Sequence, residues 1–260
     1  MAKVVTVGLQ KGGVGKTTSA AIISYLLSLE HKVLAIDMDT QGNLSEMFLQ
    51  TDIQRLIQNR QIKGTILEAL IEQNATPYII PFSSQLDLLV ATDELAILPR
   101  YIYENIPQGE RALLLCKILT SLQDIYDYII IDTPPALTET TLNALGASNG
   151  VLVLFECSLF ARSALDRFFD TIGTTQQINP KLKVLGILPT MIEQRRADPK
   201  LLLESLKTDN FYGQFVLPMI IKRKATIGRL PIYGFKENRE LLSACEPYIA
   251  VVKELIERVN

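Results

Sequence analysis

Val4-Val5-Thr6-Val7-Gly8-Leu9-Gln10-Lys11-Gly12-Gly13-Val14-Gly15-Lys16-Thr17-Thr18 is the stretch on which the reading of the whole chain turns. The apolar run Val4 to Leu9 reads as a strand. Glycines follow at 12, 13 and 15, then Lys16-Thr17. From Thr17 to Glu30 the residues Ala20, Ile23, Leu26 and Leu27 fall near helical spacing. Strand, glycine loop, Lys-Thr and helix together are the setting of a phosphate-binding P-loop. Gly12, Gly13 and Gly15 can take backbone angles closed to other residues, which lets the loop amides turn inward onto phosphate oxygens. The helix start adds the positive end of its dipole. Lys16 is placed for the β- and γ-phosphates, the Thr17 hydroxyl for Mg²⁺, and Thr18 for the α-phosphate. Gly12 to Thr18, Val14 included, is therefore the predicted cradle for ATP and Mg²⁺. One feature departs from the general pattern, which asks for glycine where this chain has Gln10.

Working outward, strand-like and helix-like stretches alternate. Val33 to Ile36, Tyr128 to Ile131, Val151 to Phe155 and Val184 to Leu188 are short and almost wholly apolar. Strands apolar on both faces belong in a parallel sheet covered by helices on each side. Leu159 to Ile178 and Asn238 to Val259 are the longest helical candidates. The fold class expected is α/β, a doubly wound, mostly parallel sheet flanked by helices. Residues 44–110 are less regular, with a helix at Ile66 to Ile71 and a strand at Leu86 to Val90. With no linker, repeat or low-complexity tract, the expectation is a single domain over 1–260 with a helical elaboration at about 44–120.

Two further strands end in acids. Tyr128-Ile129-Ile130-Ile131 runs into Asp132 and then Thr133-Pro134-Pro135. A carboxylate that closes an apolar strand is costly without a charge partner, and Mg²⁺ held through water supplies one. The competing reading is an aspartate that only caps a helix. The second strand ends Asp37-Met38-Asp39-Thr40-Gln41-Gly42-Asn43, at the sheet edge where ligands bind in such folds.

Gln10 to Thr18 resembles the deviant P-loop of the ParA/MinD ATPases, in which an extra lysine precedes the glycines and the first glycine is commonly a polar residue. That lysine is Lys11. The resemblance implies that Lys11 reaches across a dimer interface to the nucleotide of the other subunit, neutralising charge there as an arginine finger does. ATP would thereby join two subunits into a homodimer. Asp37 to Asn43 is similar to the D-x-D-x-Q-G-N segment of ParA-type members, with Thr40 where proline is frequent. By that resemblance Asp39 orients the attacking water and Asp37 supports the Mg²⁺ site, although Asp37 also suits a role bracing the loop. The catalytic set implied is Lys11, Lys16 and Asp39, and the metal set is Thr17, Asp37 and Asp132. The Pro218 to Ile221 stretch, by resemblance only, walls the adenine pocket at Pro218.

Gln41-Gly42-Asn43 favours the DNA-partitioning branch over the membrane-cycling MinD-like one, which is the alternative. At the carboxy terminus Tyr248, Val252, Leu255 and Val259, with Ile249 and Ile256, form an apolar stripe. Lys253 and Arg258 are outnumbered by Glu246, Glu254 and Glu257. A membrane-binding helix would instead carry a lysine-rich face, so a core-packing helix is expected. The formal net charge of −2 gives no general attraction to nucleic acid. Non-specific DNA contact then rests on local cations: Lys222, Arg223 and Lys224 with Arg229, or secondarily Arg195, Arg196 and Lys200. A solvated basic face is the alternative for both groups. The resemblance further implies a ParB-like or cargo-adaptor partner that stimulates hydrolysis, no membrane contact, and a cytoplasmic, nucleoid-associated protein.

The remaining chemistry-bearing residues say little. Cys116, Cys157 and Cys245 have neither metal nor redox spacing, and Cys116 and Cys157 fall outside the cluster motifs of the nitrogenase iron-protein branch. Inert thiols are expected. His31, the only histidine, precedes Lys32 at a turn and is expected to be solvated.

Overall fold

A computed structural model of the chain describes residues 1–158, 161–192, 197–235 and 239–260. Its strands are β1 (Lys3–Gly8), β2 (Val33–Asp37), β3 (Ile80–Pro81), β4 (Leu86–Leu89), β5 (Tyr128–Asp132), β6 (Gly150–Glu156), β7 (Lys183–Ile192) and β8 (Ile221–Lys222). They make one sheet in the order β3-β4-β2-β5-β1-β6-β7-β8. Each pairing is parallel except β3 with β4. Helices α1 (Lys16–Leu27), α2 (Asn43–Leu49), α3 (Ile53–Gln58), α4 (Ile66–Ile71), α5 (Leu98–Asn105), α6 (Leu114–Leu119) and α7 (Glu139–Ala147) precede β6. After it come α8 (Ala161–Gln176), α9 (Ala197–Lys207), α10 (Ala225–Gly228), α11 (Leu230–Tyr233), α12 (Arg239–Cys245) and α13 (Ile249–Val259).

Side-chain alternation divides the core in two, because successive residues of a strand point to opposite faces. Val5, Val7, Val33, Ala35 and Ile130 pack on one face with Ala20 and Ile23 of α1 and with Leu165 and Phe168 of α8. Val4, Leu34, Ile36, Ile129 and Ile131 pack on the other with Ile66 and Leu70 of α4, Ile102 of α5 and Ile118 of α6. Burying one such aliphatic side chain contributes about 1.5–3 kcal/mol. The fully apolar strands are thus explained by cover on both faces, and the doubly wound α/β expectation holds.

The elements depart from expectation in three places. Within residues 44–120 the strand expected at Leu86 to Val90 is present as β4, but β3 was not expected, and both extend the main sheet. Asp87 in β4 is buried, yet it pairs with Lys32 at 2.8 Å and accepts a hydrogen bond from the Tyr126 hydroxyl at 2.8 Å, so the polar residue is compensated. The single long helix expected to end at Val259 is broken. Pro247 lies in a 3₁₀ turn, Glu246–Tyr248, between α12 and α13, and Asn238 lies outside the described residues. His31 is half-buried rather than solvated, edge-on to Tyr128 with ring centroids 5.0 Å apart.

The carboxy-terminal stripe is core. Tyr248, Val252, Leu255 and Val259 are buried, while Ile249 is exposed. The Tyr248 and Ser19 hydroxyls are hydrogen-bonded at 2.9 Å, which fixes α13 against α1. Among the described residues no helix is long and apolar enough to cross a membrane.

Candidate nucleotide site

The loop between β1 and α1 takes its shape from two glycines. Gly13 has φ +75° and Gly15 has φ +87°, in the left-handed region that side chains avoid. Gly12 does not share this need: its φ is not positive, and a Cβ placed on it would meet nothing within 4 Å. Val14 is buried, and its carbonyl accepts a 2.9 Å hydrogen bond from the Thr190 hydroxyl of β7, so the loop is pinned to the sheet through Val14. Gly15 caps α1 with no side-chain hydrogen bond, and the first turn carries no acid. The opening amides of a twelve-residue helix are therefore left to an anion.

Lys16 is buried and donates from Nζ to the Lys11 carbonyl at 2.7 Å. Burial lowers its pKa, and the charges of Asp132 and Asp39 partly oppose that shift. Lys11 itself is held in its own subunit: its ammonium ion-pairs with Glu156 and donates to Ser158 Oγ at 2.6 Å.

The parallel register sets Asp37 and Asp132 side by side at the carboxyl edge of the sheet. Asp132 is fully buried, and neither of its oxygens has a hydrogen-bond partner. Burial first, then the neighbouring Asp37 charge, push its pKa well up; the nearby Thr17 hydroxyl, short of hydrogen-bond geometry, and Lys16 oppose this. A buried, unpaired carboxylate beside a P-loop threonine fits a hard divalent cation. Asp37 is differently placed. Its Oδ1 accepts from Asp39 N–H at 3.0 Å, and its Oδ2 from Ser45 N–H at 3.0 Å and Ser45 Oγ at 2.7 Å. These bonds make it the brace of the Asp39 turn. Burial still lifts its pKa to about 6. Asp39 is nearly buried and caps the turn by accepting from Gln41 N–H at 3.1 Å.

Two neighbouring clefts share Gly13, Gly15, Thr18 and Met191. The smaller, about 390 Å³, gathers Lys16, Thr17, Asp39, Gln41 and Asn43. The larger, about 540 Å³, runs from Thr18 past Glu156 to Ile221, Lys222, Arg223 and Lys224. A family profile described as an AAA domain matches residues 2–184. The chromosome partitioning protein ParA of Myxococcus xanthus strain DK1622 is 33% identical over 98% of this chain and 88% of its own length.

The chain belongs to the ParA family.

Solved structures agree with that kinship. A candidate plasmid partition protein of Borrelia burgdorferi B31 bound to AMPPNP is 31% identical, with 99% of each chain covered and a TM-score of 0.79. Cobyrinic acid a,c-diamide synthase of Mycobacterium smegmatis, with bound ATP analog and magnesium, is 28% identical over 99% of this chain and 95% of its own, with a TM-score of 0.80.

Some residues singled out from the sequence sit elsewhere than expected in this ParA-family fold. Pro218 is exposed and lines neither cleft; Ile221, Ile227 and Pro231 give the larger cleft its apolar wall. The basic group is not one free face. Lys224 pairs with Glu246 at 3.2 Å and Arg229 with Glu240 at 3.0 Å, while Lys222 to Lys224 line the larger cleft. Lys200 is exposed on α9, and Arg195 and Arg196 lie outside the described residues. Ser45, Glu156, Ser158 and Met191 were missed. Glu156 had a readable signal, the same apolar-strand-then-acid pattern that marked Asp132. Met191 had none, because its φ of +56° falls at the register shift between β7 and β8, beside Gly15. Burial pushes the Cys157 and Cys245 thiols up to about 11, which leaves them protonated and unreactive at neutral pH.

Proposed function

We propose that this ParA-family chain acts as one unit that binds and hydrolyses ATP with Mg²⁺, pairs into a homodimer when ATP-bound, and then holds DNA without reading its sequence. The observation that carries the nucleotide chemistry is the partnerless, fully buried Asp132 carboxylate beside a P-loop whose helix start has no cap. The residues that would hold Mg²⁺ are Thr17 and, through water, Asp132, with Asp37 adding charge from behind. The cation would neutralise charge on the phosphates during transfer. Gly12 to Thr18 would wrap the phosphates with their amides, and Lys16 would exchange the Lys11 carbonyl for a phosphate oxygen. Asp39, on a turn braced by Asp37, would orient the attacking water. In such reactions positioning and charge neutralisation lower the barrier more than strong base catalysis does. The larger cleft has the size and the apolar wall to take the base and sugar.

The partition role rests on kinship and on Lys11, whose position before the glycines suits a charge delivered to the partner's nucleotide. A ParB-like or cargo-adaptor partner would speed a slow hydrolysis and so release the DNA. ATP controls DNA binding only if affinity differs between the two nucleotide states. DNA retention by the purified protein with ATP, with ADP and with no nucleotide tests this directly. Retention that is equal in all three states would remove the switch.

A further inference from the structure

The signature lysine is already occupied in the lone subunit, by groups outside the P-loop. Glu156 ends β6, and Ser158 lies two residues on. β6 pairs with β1 in fixed register, Gly8 against Val153, so the sheet presents Glu156 to the loop that follows β1. The Lys11 ammonium takes the Glu156 carboxylate and the Ser158 hydroxyl together. Its backbone is held as well: the Lys11 carbonyl accepts from Lys16 Nζ, and its N–H donates to the Leu9 carbonyl at 2.9 Å. Every strong group on Lys11 is therefore engaged inside its own chain. A lysine so held cannot serve a second subunit without first giving up these partners.

We propose that Glu156, helped by Ser158, is a positioning residue that latches Lys11 in cis and thereby sets how readily two subunits pair. The inference rests on the reading that Lys11 acts across the dimer. Lys16 links the two events. Phosphate oxygens that draw Lys16 away from the Lys11 carbonyl remove the backbone hold, and only the Glu156 and Ser158 contacts remain to be exchanged for the partner's nucleotide. Because the latch exists only in the unpaired state, removing it favours the paired one. Lys11 and Glu156 side chains are 24% and 32% exposed, so solvent screens the pair and the effect is modest. For an ion pair of this exposure it amounts to about two- to five-fold per subunit.

The test is the protein concentration at which half of the chain is dimeric with Mg·ATP, read by sedimentation velocity, for wild type, Glu156→Gln, Glu156→Asp, Ser158→Ala, Lys11→Ala and Lys11→Ala/Glu156→Gln. Glu156→Gln lowers that concentration about four- to twenty-five-fold, two latches being lost per dimer. Ser158→Ala lowers it less, and Glu156→Asp, which keeps the charge, moves it back towards wild type. In the Lys11→Ala background, where pairing is lost, Glu156→Gln leaves the urea midpoint of the unpaired chain unchanged, an outcome that a glutamate structural in its own right would not give. Wild-type dimers that persist in Lys11→Ala overturn the reading of Lys11 and the latch with it. Dimers that need Lys11 but are unchanged or weakened in Glu156→Gln overturn the latch alone.

Discussion

Ser45 Oγ donates a 2.7 Å hydrogen bond to the Asp37 carboxylate. The same oxygen accepts a 3.0 Å hydrogen bond from Ala91 N–H. One hydroxyl of α2 thus ties the end of β2 to the chain leaving β4, directly behind the turn that carries Asp39. Gly42 tightens the same junction: with φ +61°, its missing Cβ would stand 2.9 Å from the Ala91 carbonyl oxygen.

Ser45→Ala removes both bonds and leaves the Ala91 N–H buried without a partner. Losing a buried acceptor costs about 1–3 kcal/mol. The urea midpoint falls, while nucleotide affinity stays close to wild type because Ser45 lines neither nucleotide cleft. Turnover drops through kcat as the Asp39 turn loosens. An unchanged urea midpoint would show that the brace adds nothing to stability.

Asp37 and Asp132 give the nucleotide-free protein a distinctive response to pH. Burial holds both carboxyls above their ordinary 3.8, Asp37 at about 6, so the native state binds protons that the unfolded chain does not. Stability then rises as pH falls from neutrality through 6 and stops rising near 3.8. Mg²⁺ needs the ionised forms, so its stabilising effect grows in the opposite direction, with rising pH. Asp132→Asn removes one of the two buried charges. Its Tm without metal varies less between pH 8 and pH 6, and the Tm gain on adding Mg·ATP shrinks by about 3 °C or more. Calorimetric scans across that range check both, and a variant with the wild-type pH slope and the wild-type Mg·ATP gain would contradict the assignment.

Gly15 and Gly12 sit three residues apart and should respond in opposite ways to alanine. Gly15 has φ +87°, and a Cβ there would press the Met191 methyl at 3.2 Å. Gly15→Ala costs about 1–2 kcal/mol for the left-handed backbone alone, and it distorts the helix start that would meet phosphate. Gly12→Ala has space and an ordinary φ, so the monomer keeps wild-type stability. Thermal unfolding of both variants without nucleotide decides the matter. Equal loss in both would mean that the loop geometry is not what separates them.

What the sequence displayed follows from where burial is complete. β1, β2, β5, β6 and β7 were legible because helices cover both faces and nearly every side chain must be apolar. β3 was invisible, being two residues long and ending in a proline, and only its tertiary pairing with β4 makes it a strand. The helix from Asn238 was overextended because apolar spacing runs on through Pro247, whose break is local and short. In the site, Lys16, Thr17 and Asp132 stood out since strand and loop order place them without knowledge of packing. Ser45 did not, and Glu156 offered only its place at the end of an apolar strand, because the partners that give them meaning lie 8 and 145 residues away along the chain. Distance between partners, rather than weak chemistry, hid them.

If the chain holds DNA as proposed, the basic residues on either side of α10 differ in how much charge they can offer it. Lys224 and Arg229 are each matched by a glutamate, at 3.2 Å and 3.0 Å, whereas Lys222 is exposed and has no such partner among the described residues. A phosphate contact releases counterions, and each one lost lowers the slope of log K against log salt by about 1. Lys222→Ala should show that full decrease with the ATP-bound protein on random-sequence duplex DNA. Arg229→Ala should show a smaller one, since part of its charge is already spent on Glu240. Fluorescence anisotropy titrations over a range of salt measure both slopes. A larger drop for Arg229→Ala would mean that its pair with Glu240 opens on DNA and that Lys222, which also lines the larger cleft, makes no phosphate contact.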